Sequence, residues 1–488
     1  MPVSFQRKAL KLLPDPRRVI ARYYRPAYSD RVQAIFQQVL GLSGEERQRI
    51  LTRTLRRFSG RHRNISRVFE RHCERILREE PSLGKIANVL SEEQRLLLGS
   101  YFTSEYAIES TAFYNPSIVE DPDQSELQNG EKRLIISFRA TGEGHISSIV
   151  FRRGIIDNRC DLHLEEPGPL LDMPETVNRH VYDKSSFLEK LEEMRIRKDV
   201  IAEVAGRLAD QFVYGELQAS IEKTLQNPEL TYTKKKVVHA INWLALSHYE
   251  VTFSRDTNIS ERVLFPVSYA ESNGIEDARF VRFRDMDGSV TYYATYTAYN
   301  GFAILPKLME TKDFYHFRVM PLHGEYAQNK GLSLFPRRIR GRYAMIGRCD
   351  GTNLFIMYSD NLNLWQEAKQ IQKPRFPWEF VQVGNAGSPL ETEEGWLLIT
   401  HGVGPVRSYS LGATLLDLED PSRVIGRLKE PILTPNDEER EGYVPNVVYS
   451  CGSYIHNKHL IVPYGMADYA SAFGCVPLTE LLGQVTRS

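Results

Sequence analysis

Long apolar runs are missing from this chain of 488 residues, and so is any surplus of charge, since 62 Lys and Arg balance 62 Asp and Glu. No stretch reaches the roughly 18 apolar residues of a bilayer-crossing helix, so no membrane span is expected. Cysteine is scarce. Cys73, Cys160, Cys349, Cys451 and Cys475 are scattered, odd in number and never in CxxC spacing. That pattern argues against a disulfide framework or a zinc site and suits a reducing, cytoplasmic setting. The opening MPVSFQRKALKLL is short and amphipathic, without the apolar core and small-residue cleavage site of a signal peptide. No glycine-rich phosphate loop or dinucleotide fingerprint is present, which argues against a nucleotide site.

What is present is ordinary globular composition, 42% apolar and 25% charged, in a chain longer than one usual domain. The first eighty residues hold 19 Lys and Arg against 8 acids, so the remainder is acidic. Such a segment is either a basic arm for nucleic acid or a helical domain whose arginines stay solvated or pair with the acidic remainder. The second reading also explains the apolar periodicity, so no nucleic-acid partner is expected. From Pro26 to about Gly99, Val32, Ile35, Phe36 and Val39 recur at helical spacing, followed by Leu51, Leu55, Phe58, Val68, Ile76 and Leu77. Three or four helices are expected there. A second helical stretch runs from Ser185 to about Ser247, through Phe187, Leu188, Leu191 and Met194, then Val200 to Ala209 and Val237 to Leu246. It reads as an insertion packed against the N-terminal helices, covering a strand platform or building a subunit interface.

After Ala112 the texture changes to short aromatic and β-branched runs broken by Asn, Asp, Gly and Pro. Strands ending in polar residues recur, after the helical insertion, about every 45 to 60 residues: Arg133 to Arg139, Thr291 to Tyr299, Arg342 to Arg348, Gly395 to His401 and His459 to Tyr464. The expected fold is therefore an all-β core, a five-bladed β-propeller, with an N-terminal helical region and a helical insertion. The expected division is 1–105 helical, 106–184 the start of the propeller, 185–247 the insertion and 248–488 the rest of the propeller. Blades around an axis would aim the polar strand ends into one funnel.

Three local features carry chemistry. Gly274-Ile275-Glu276-Asp277-Ala278-Arg279 sets two carboxylates and an arginine at the head of the aromatic-rich stretch Phe280 to Tyr299. Consecutive strand residues point to opposite faces, so Glu276 and Asp277 share a site only if the chain bends; otherwise the tripeptide is a solvated turn. Asn115 precedes Pro116 and is held extended, which lets its amide project. Arg139 follows an apolar strand, where a guanidinium needs a cavity or an anion.

The runs Phe113 to Ser117, Phe138-Arg139-Ala140, Gly274 to Arg279, Tyr296 to Gly301, Asn329-Lys330 through Arg338, His401-Gly402-Val403 and Val444 to Val448 together resemble, in order, glycoside hydrolase family 130. The resemblance covers about 111–476, apart from a stretch near 161–247. It implies a five-bladed β-propeller that acts on β-mannosides, as β-mannoside phosphorylase or β-1,2-mannosidase. It implies that Asp277 is the proton donor, working through a sugar hydroxyl. Asn115, Arg139 and Asp468 match residues that hold the mannosyl unit, with Glu276 and Arg279 beside them. Lys330, Arg348, His401 and Tyr409 match the phosphate-binding positions. Tyr114 and Tyr299 are available to cover sugar faces, with core packing as their other role.

Three departures keep both chemistries open. Gln382 stands where a lysine is common, Ala278 replaces a proline and Asn300 replaces an aspartate. An inverting phosphorylase needs one carboxylic acid and phosphate as co-substrate, with no other cofactor. An inverting hydrolase needs a second carboxylate roughly 6.5–9.5 Å from the first, for which Glu379 and Glu276 are candidates. A carbohydrate-binding propeller without chemistry is the third reading. The expected partners are a β-mannoside oligosaccharide and phosphate, and the helical regions leave room for a homo-oligomer.

Overall fold

The structure is a computed structural model, and it describes residues 3–177, 181–193, 198–226 and 231–485. Met194 of the sequence pattern lies outside them. The core is all-β. Ala112–Glu120, Lys132–Thr141 and Ser147–Ile156 form an antiparallel meander. A single parallel pairing, Gly274 with Ser147, joins it to a second meander of Gly274–Arg284, Val290–Tyr299, Ile304–Thr311 and His316–Pro321. Separate antiparallel sheets follow over Ser333–Gln372, Gln382–Arg427 and Val448–Pro477.

Each of these units shares an apolar core with its neighbour. Phe335, Ile346 and Ile356 pack with Val383, Trp396 and Leu398. Leu411 and Leu415 pack with Leu460 and Val462 of the last sheet. The last sheet also reaches the first: Ile461 and Phe473 share a cluster with Ile118, Ile136 and Phe138. Phe113 N donates to Tyr469 O at 2.8 Å and Cys451 N to Pro116 O at 2.9 Å across the same boundary. Each buried Phe, Leu or Val contributes roughly 1.5–3 kcal/mol, so these inter-sheet seams hold the assembly in place.

The amphipathic start of the chain is a strand, not part of a helical region. Gln6–Leu12 alternates, with Lys8, Leu10 and Leu12 turned inward, and this period of two pairs it with Ala470–Pro477 at the edge of the last sheet. Val19–Tyr23 then pairs with Thr103–Ala107, and the helices α1 (Ser29–Gly41), α2 (Gly44–Phe58), α3 (Ile65–Glu79), α4 (Gly84–Ala87) and α5 (Glu92–Tyr101) sit between those two strands. Ser43 and Glu46 form a capping box at α2, as Ser91 and Gln94 do at α5.

Four more helices, α6 (Lys184–Glu193), α7 (Lys198–Ala205), α8 (Tyr214–Leu225) and α9 (Tyr232–Leu246), fill the second helical stretch. Their expected packing against the N-terminal helices is not what the structure shows. Phe187, Leu191, Leu217 and Ile241 close one apolar cluster, while Phe36, Leu51, Ile76 and Leu97 close another. Trp243 instead joins the insertion to the β core, and Glu193 Oε1 accepts from Gly324 N. Helical periodicity reveals an apolar face but not which element covers it.

Candidate active site

The Gly274 strand keeps register with Val290–Tyr299 except between Glu276 and Arg279, where Asp277 takes φ 52°. This bulge cancels the alternation of side chains, and Glu276 and Asp277 both reach Arg139. Arg139 Nη2 donates to Glu276 Oε1 at 3.0 Å and Nη1 to Asp277 Oδ1 at 3.4 Å. Asn115, expected to be extended before Pro116, is instead left-handed and repeats the device: register slips between Tyr114 and Ser117, its φ is 50°, and Nδ2 donates to Asp277 Oδ1 at 2.8 Å. Asn and Asp tolerate the left-handed region better than other residues with a Cβ. Asp468 is a third case, at φ 49° in the turn that hydrogen-bonds to Phe113. Gly465 permits this approach, because a Cβ there would stand 2.8 Å from Asn115 N.

Lys330 closes the acidic side. Its Nζ donates to Glu276 Oε2 at 2.6 Å and lies 5.8 Å from the centre of the Tyr299 ring. Tyr114 is buried beneath Arg139, with the guanidinium 5.2 Å from its ring centre. The Arg139 Nε and Asn115 Oδ1 atoms are buried without a protein partner, so polar capacity is left over where a ligand would sit.

The opposite side is built from Arg279, Arg348, His401, Tyr409 and Tyr449. Arg279 is 2% exposed. It donates to Asn385 Oδ1 at 3.1 Å, to the Asp277 carbonyl at 2.9 Å and to the Tyr449 hydroxyl at 2.6 Å. The His401 ring packs 4.8 Å from Tyr449 and 6.0 Å from Tyr409. Its Nδ1 lies 3.0 Å from the Asn385 carbonyl; a carbonyl only accepts, so Nδ1 carries the proton and Nε2, 3.4 Å from Arg348 Nη1, is the acceptor. Gly384 makes room for the imidazole, which a Cβ would meet at 2.3 Å.

The electrostatics divide the same way. Burial works to raise the Asp277 carboxyl, but Arg139, Arg279, the Asn115 hydrogen bond and Lys330 outweigh it and hold the group below its ordinary value. Asp468 goes the other way: burial and then the charge of Asp277 push it up to about 6, against the pull of Arg139 and Arg407. Burial, reinforced by Arg348 and Arg279, drives His401 well below its ordinary value, so the ring is neutral.

Asn115, Arg139, Glu276, Asp277 and Lys330 are thus linked directly, with Asp468 coupled to them, and Arg279, Arg348, His401 and Tyr409 are linked through Tyr449 and the His401 ring beside them. Lys330, expected with phosphate, has the Glu276 carboxylate as its partner. Glu379, a candidate base for water, is sealed in the core: its Oε1 accepts from Arg375 N and Phe376 N and pairs with Arg427. Asn300 accepts from Phe302 N and Ala303 N within its own turn. Asn385 and Tyr449 were not singled out from the sequence. Tyr449 follows directly on the Val444 to Val448 run, the one signal that pointed to it.

Residues 231–487 match the model of glycoside hydrolase family 130, described as beta-1,4-mannooligosaccharide phosphorylase. The 1,2-beta-oligomannan phosphorylase of Thermoanaerobacter sp. (strain X514) is 39% identical over 232 residues, covering 46% of this chain and 74% of that protein. The beta-1,2-mannobiose phosphorylase of Listeria innocua is 31% identical over 275 residues, covering 53% and 75%. The solved structure of a Listeria innocua beta-1,2-mannobiose phosphorylase with beta-1,2-mannobiose superposes with a TM-score of 0.46 at 24% identity, over 78% of this chain and 93% of that one. With the family model spanning more than half of its length, this chain belongs to glycoside hydrolase family 130.

Proposed function

We propose that the chain is an inverting β-mannoside phosphorylase, which uses inorganic phosphate to cleave a terminal β-mannosyl linkage and releases mannose 1-phosphate. The observation that carries this reading is the division of charge across the site. Every carboxylate lies on one side, whereas among the described residues neither Arg279 nor Arg348 has a carboxylate within ion-pair distance. A buried guanidinium such as Arg279 without counter-charge is costly, and a phosphate dianion supplies what is missing through charge-assisted hydrogen bonds. The named relatives are likewise phosphorylases of β-mannosides.

In this reading Asn115, Arg139, Glu276 and Asp468 hold the mannosyl unit, and Arg279 braces the boundary between sugar and phosphate. Arg348, His401 and Tyr409 receive phosphate, which Lys330 approaches from the sugar side. Phosphate oxygen attacks the anomeric carbon as the bond to the leaving sugar oxygen breaks, inverting that carbon. Asp277 sends a proton through a sugar hydroxyl to the leaving oxygen. The free enzyme holds Asp277 ionised, so phosphate has a second effect: its negative charge offsets Arg279 and Lys330 and lets the carboxyl take up that proton. A water route lacks a base, since Glu379 is sealed and Glu276 is tied to two cations.

The fold is read as five propeller blades, supported by five meander units whose apolar seams run from each to the next and from last to first. The helical regions are read as additions suited to self-association, and the free thiols as suited to the cytoplasm. Product analysis on β-1,2-mannobiose with and without inorganic phosphate tests the function. Phosphate-dependent mannose 1-phosphate is expected; free mannose without phosphate would establish a hydrolase, and no product a binding protein.

A further inference from the structure

Away from the catalytic cluster, α3 faces the sheet edge across a groove of about 890 Å³, within the range of ligand-binding clefts, roughly 300–1,000 Å³. Arg67, Arg71, Arg75 and Arg78 recur along α3 at spacings of four, four and three and line the groove, as does Arg22. Residues so spaced share one helix face, and this row extends about 16 Å at 1.5 Å per residue. Arg75 pairs with Glu79. Among the described residues, however, Arg22, Arg71 and Arg78 have no carboxylate within ion-pair distance, and only Glu74 and Asp172 among the groove's lining residues are acidic. The groove is therefore strongly cationic in a chain whose net charge is zero. Its other wall exposes Val267 and Tyr269, 42% and 63% accessible, and an exposed aromatic face is a stacking platform for a sugar ring.

The groove leads toward the reacting centre. Ile146 and Ser272 line it; the residue after Ile146, Ser147, pairs with Gly274, and Asn273 N donates to Tyr299 O. Thr141, Ser147, Gly274 and Tyr299 are partners in register at one end of the sheets, the end that carries Arg139 and Asp277. Ser272 and Asp277 are five positions apart, at most about 17 Å of extended chain.

We infer that this groove receives the part of the glycan beyond the reacting mannosyl unit, and that the glycan it favours carries phosphate groups there. The inference rests on the β-mannoside reading of the catalytic site and extends it from reaction to substrate class. Neutral sugar would leave Arg71 and Arg78 without a counter-ion, whereas a phosphomonoester accepts from a guanidinium at two oxygens. A nucleic acid would use the same charge, but a row of about three helical turns beside a catalytic strand suits a short glycan better.

The test compares phosphorolysis of β-1,2-mannotetraose with that of the same tetrasaccharide bearing a 6-phosphate on its reducing unit, at fixed ionic strength, for wild type and the R71E/R78E variant. Wild type is expected to favour the phosphorylated sugar by about tenfold in kcat/KM, an increment typical of one good charge-assisted contact. The variant should lose that preference while turning over the neutral sugar unchanged, which also shows that it folds. Equal kcat/KM in wild type, or a preference that survives charge reversal, overturns the inference. Calorimetric titration of both sugars without inorganic phosphate separates this claim from the catalytic one. Selective binding of the phosphorylated sugar that R71E/R78E abolishes upholds the groove even if neither sugar is turned over. A ten-nucleotide oligothymidylate bound as tightly as the phosphorylated sugar would assign the groove to nucleic acid instead.

Discussion

The two sides of the proposed catalytic centre, one assigned to sugar and one to phosphate, are built on different principles. On the sugar side, Asn115, Asp277 and Asp468 all sit at positive φ, two of them on bulges, and Asp277 accepts from both Asn115 and Arg139. On the phosphate side the positive-φ device is missing from Arg279, Arg348, His401 and Tyr409. His401 and Tyr409 project from regular strands, Arg279 from the in-register end of the bulge that holds Asp277, and buried neutral groups, the Asn385 amide and the Tyr449 hydroxyl, hold Arg279. The contrast follows from what each side must do. A sugar demands several acceptors and donors at one point, which a two-residue alternation cannot deliver. A dianion demands cations left unneutralised, and any carboxylate used to position them would defeat the purpose.

The strongest way to break this division is at Asp277. Replacing it by Asn keeps the size and the hydrogen bond to Asn115 but removes the proton, so mannose 1-phosphate release should fall by about 10²–10⁴-fold. Rapid quench of product on mannobiose reads this directly; turnover within tenfold of wild type would move the acid elsewhere. Smaller and more diagnostic is a swap of arginines. R348A should raise KM for phosphate by about 10–100-fold with little change in KM for the mannoside, and R139A should do the reverse. Variants that raise both constants together would show that the two sides act as one.

The sequence revealed the sugar side better than the phosphate side, for a physical reason. Adjacent carboxylates beside an arginine, and an asparagine before a proline, are dense local signals, and the condition stated for Glu276 and Asp277, a bend in the chain, is met by the bulge. Arg348 just follows a strand and His401 and Tyr409 lie on ordinary ones, each a single residue, and only the family resemblance marked them. Asn385 carried no local mark, because its importance lies in joining Arg279 to His401 across two sheets. Short apolar strands gave away the all-β core, but Gln6–Leu12 was misread because seven alternating residues at a terminus pair with a partner more than 450 positions away. Glu379 reads from the sequence as a candidate to activate water, yet its buried carboxylate accepts from a turn and pairs with Arg427.

A subtler effect separates the two aspartates within the sugar side. Asp468, raised in the folded protein to about 6 from an ordinary 3.8, binds more protons folded than unfolded between those values. Stability should therefore be greatest below about pH 4 from this group and decline as pH rises to about 6, by at most about 3 kcal/mol before solvent screening. Asp277 has the opposite sign: its depressed value stabilises above the ordinary carboxylate range, and that contribution is lost as pH falls through its folded value. Urea titrations of wild type and D468N across pH 4–6.5 isolate the first effect. D468N should flatten the slope, and an unchanged slope would show that Asp468 ionises normally.

The smallest expected effect is none at all, and it lies on the phosphate side. Histidine ordinarily titrates near neutrality, but burial and two neighbouring guanidiniums keep the His401 ring neutral, with its proton fixed on Nδ1 by the Asn385 carbonyl. Between pH 5 and 8, kcat/KM for phosphate should therefore follow only the ionisation of phosphate itself and of the acid. H401N offers an amide in place of the ring, so it should lower the whole profile without changing its shape. If an inflection near the ordinary histidine value were present in wild type and absent in H401N, the imidazole would be gaining charge. The phosphate side would then share the ionisable character of the sugar side rather than opposing it.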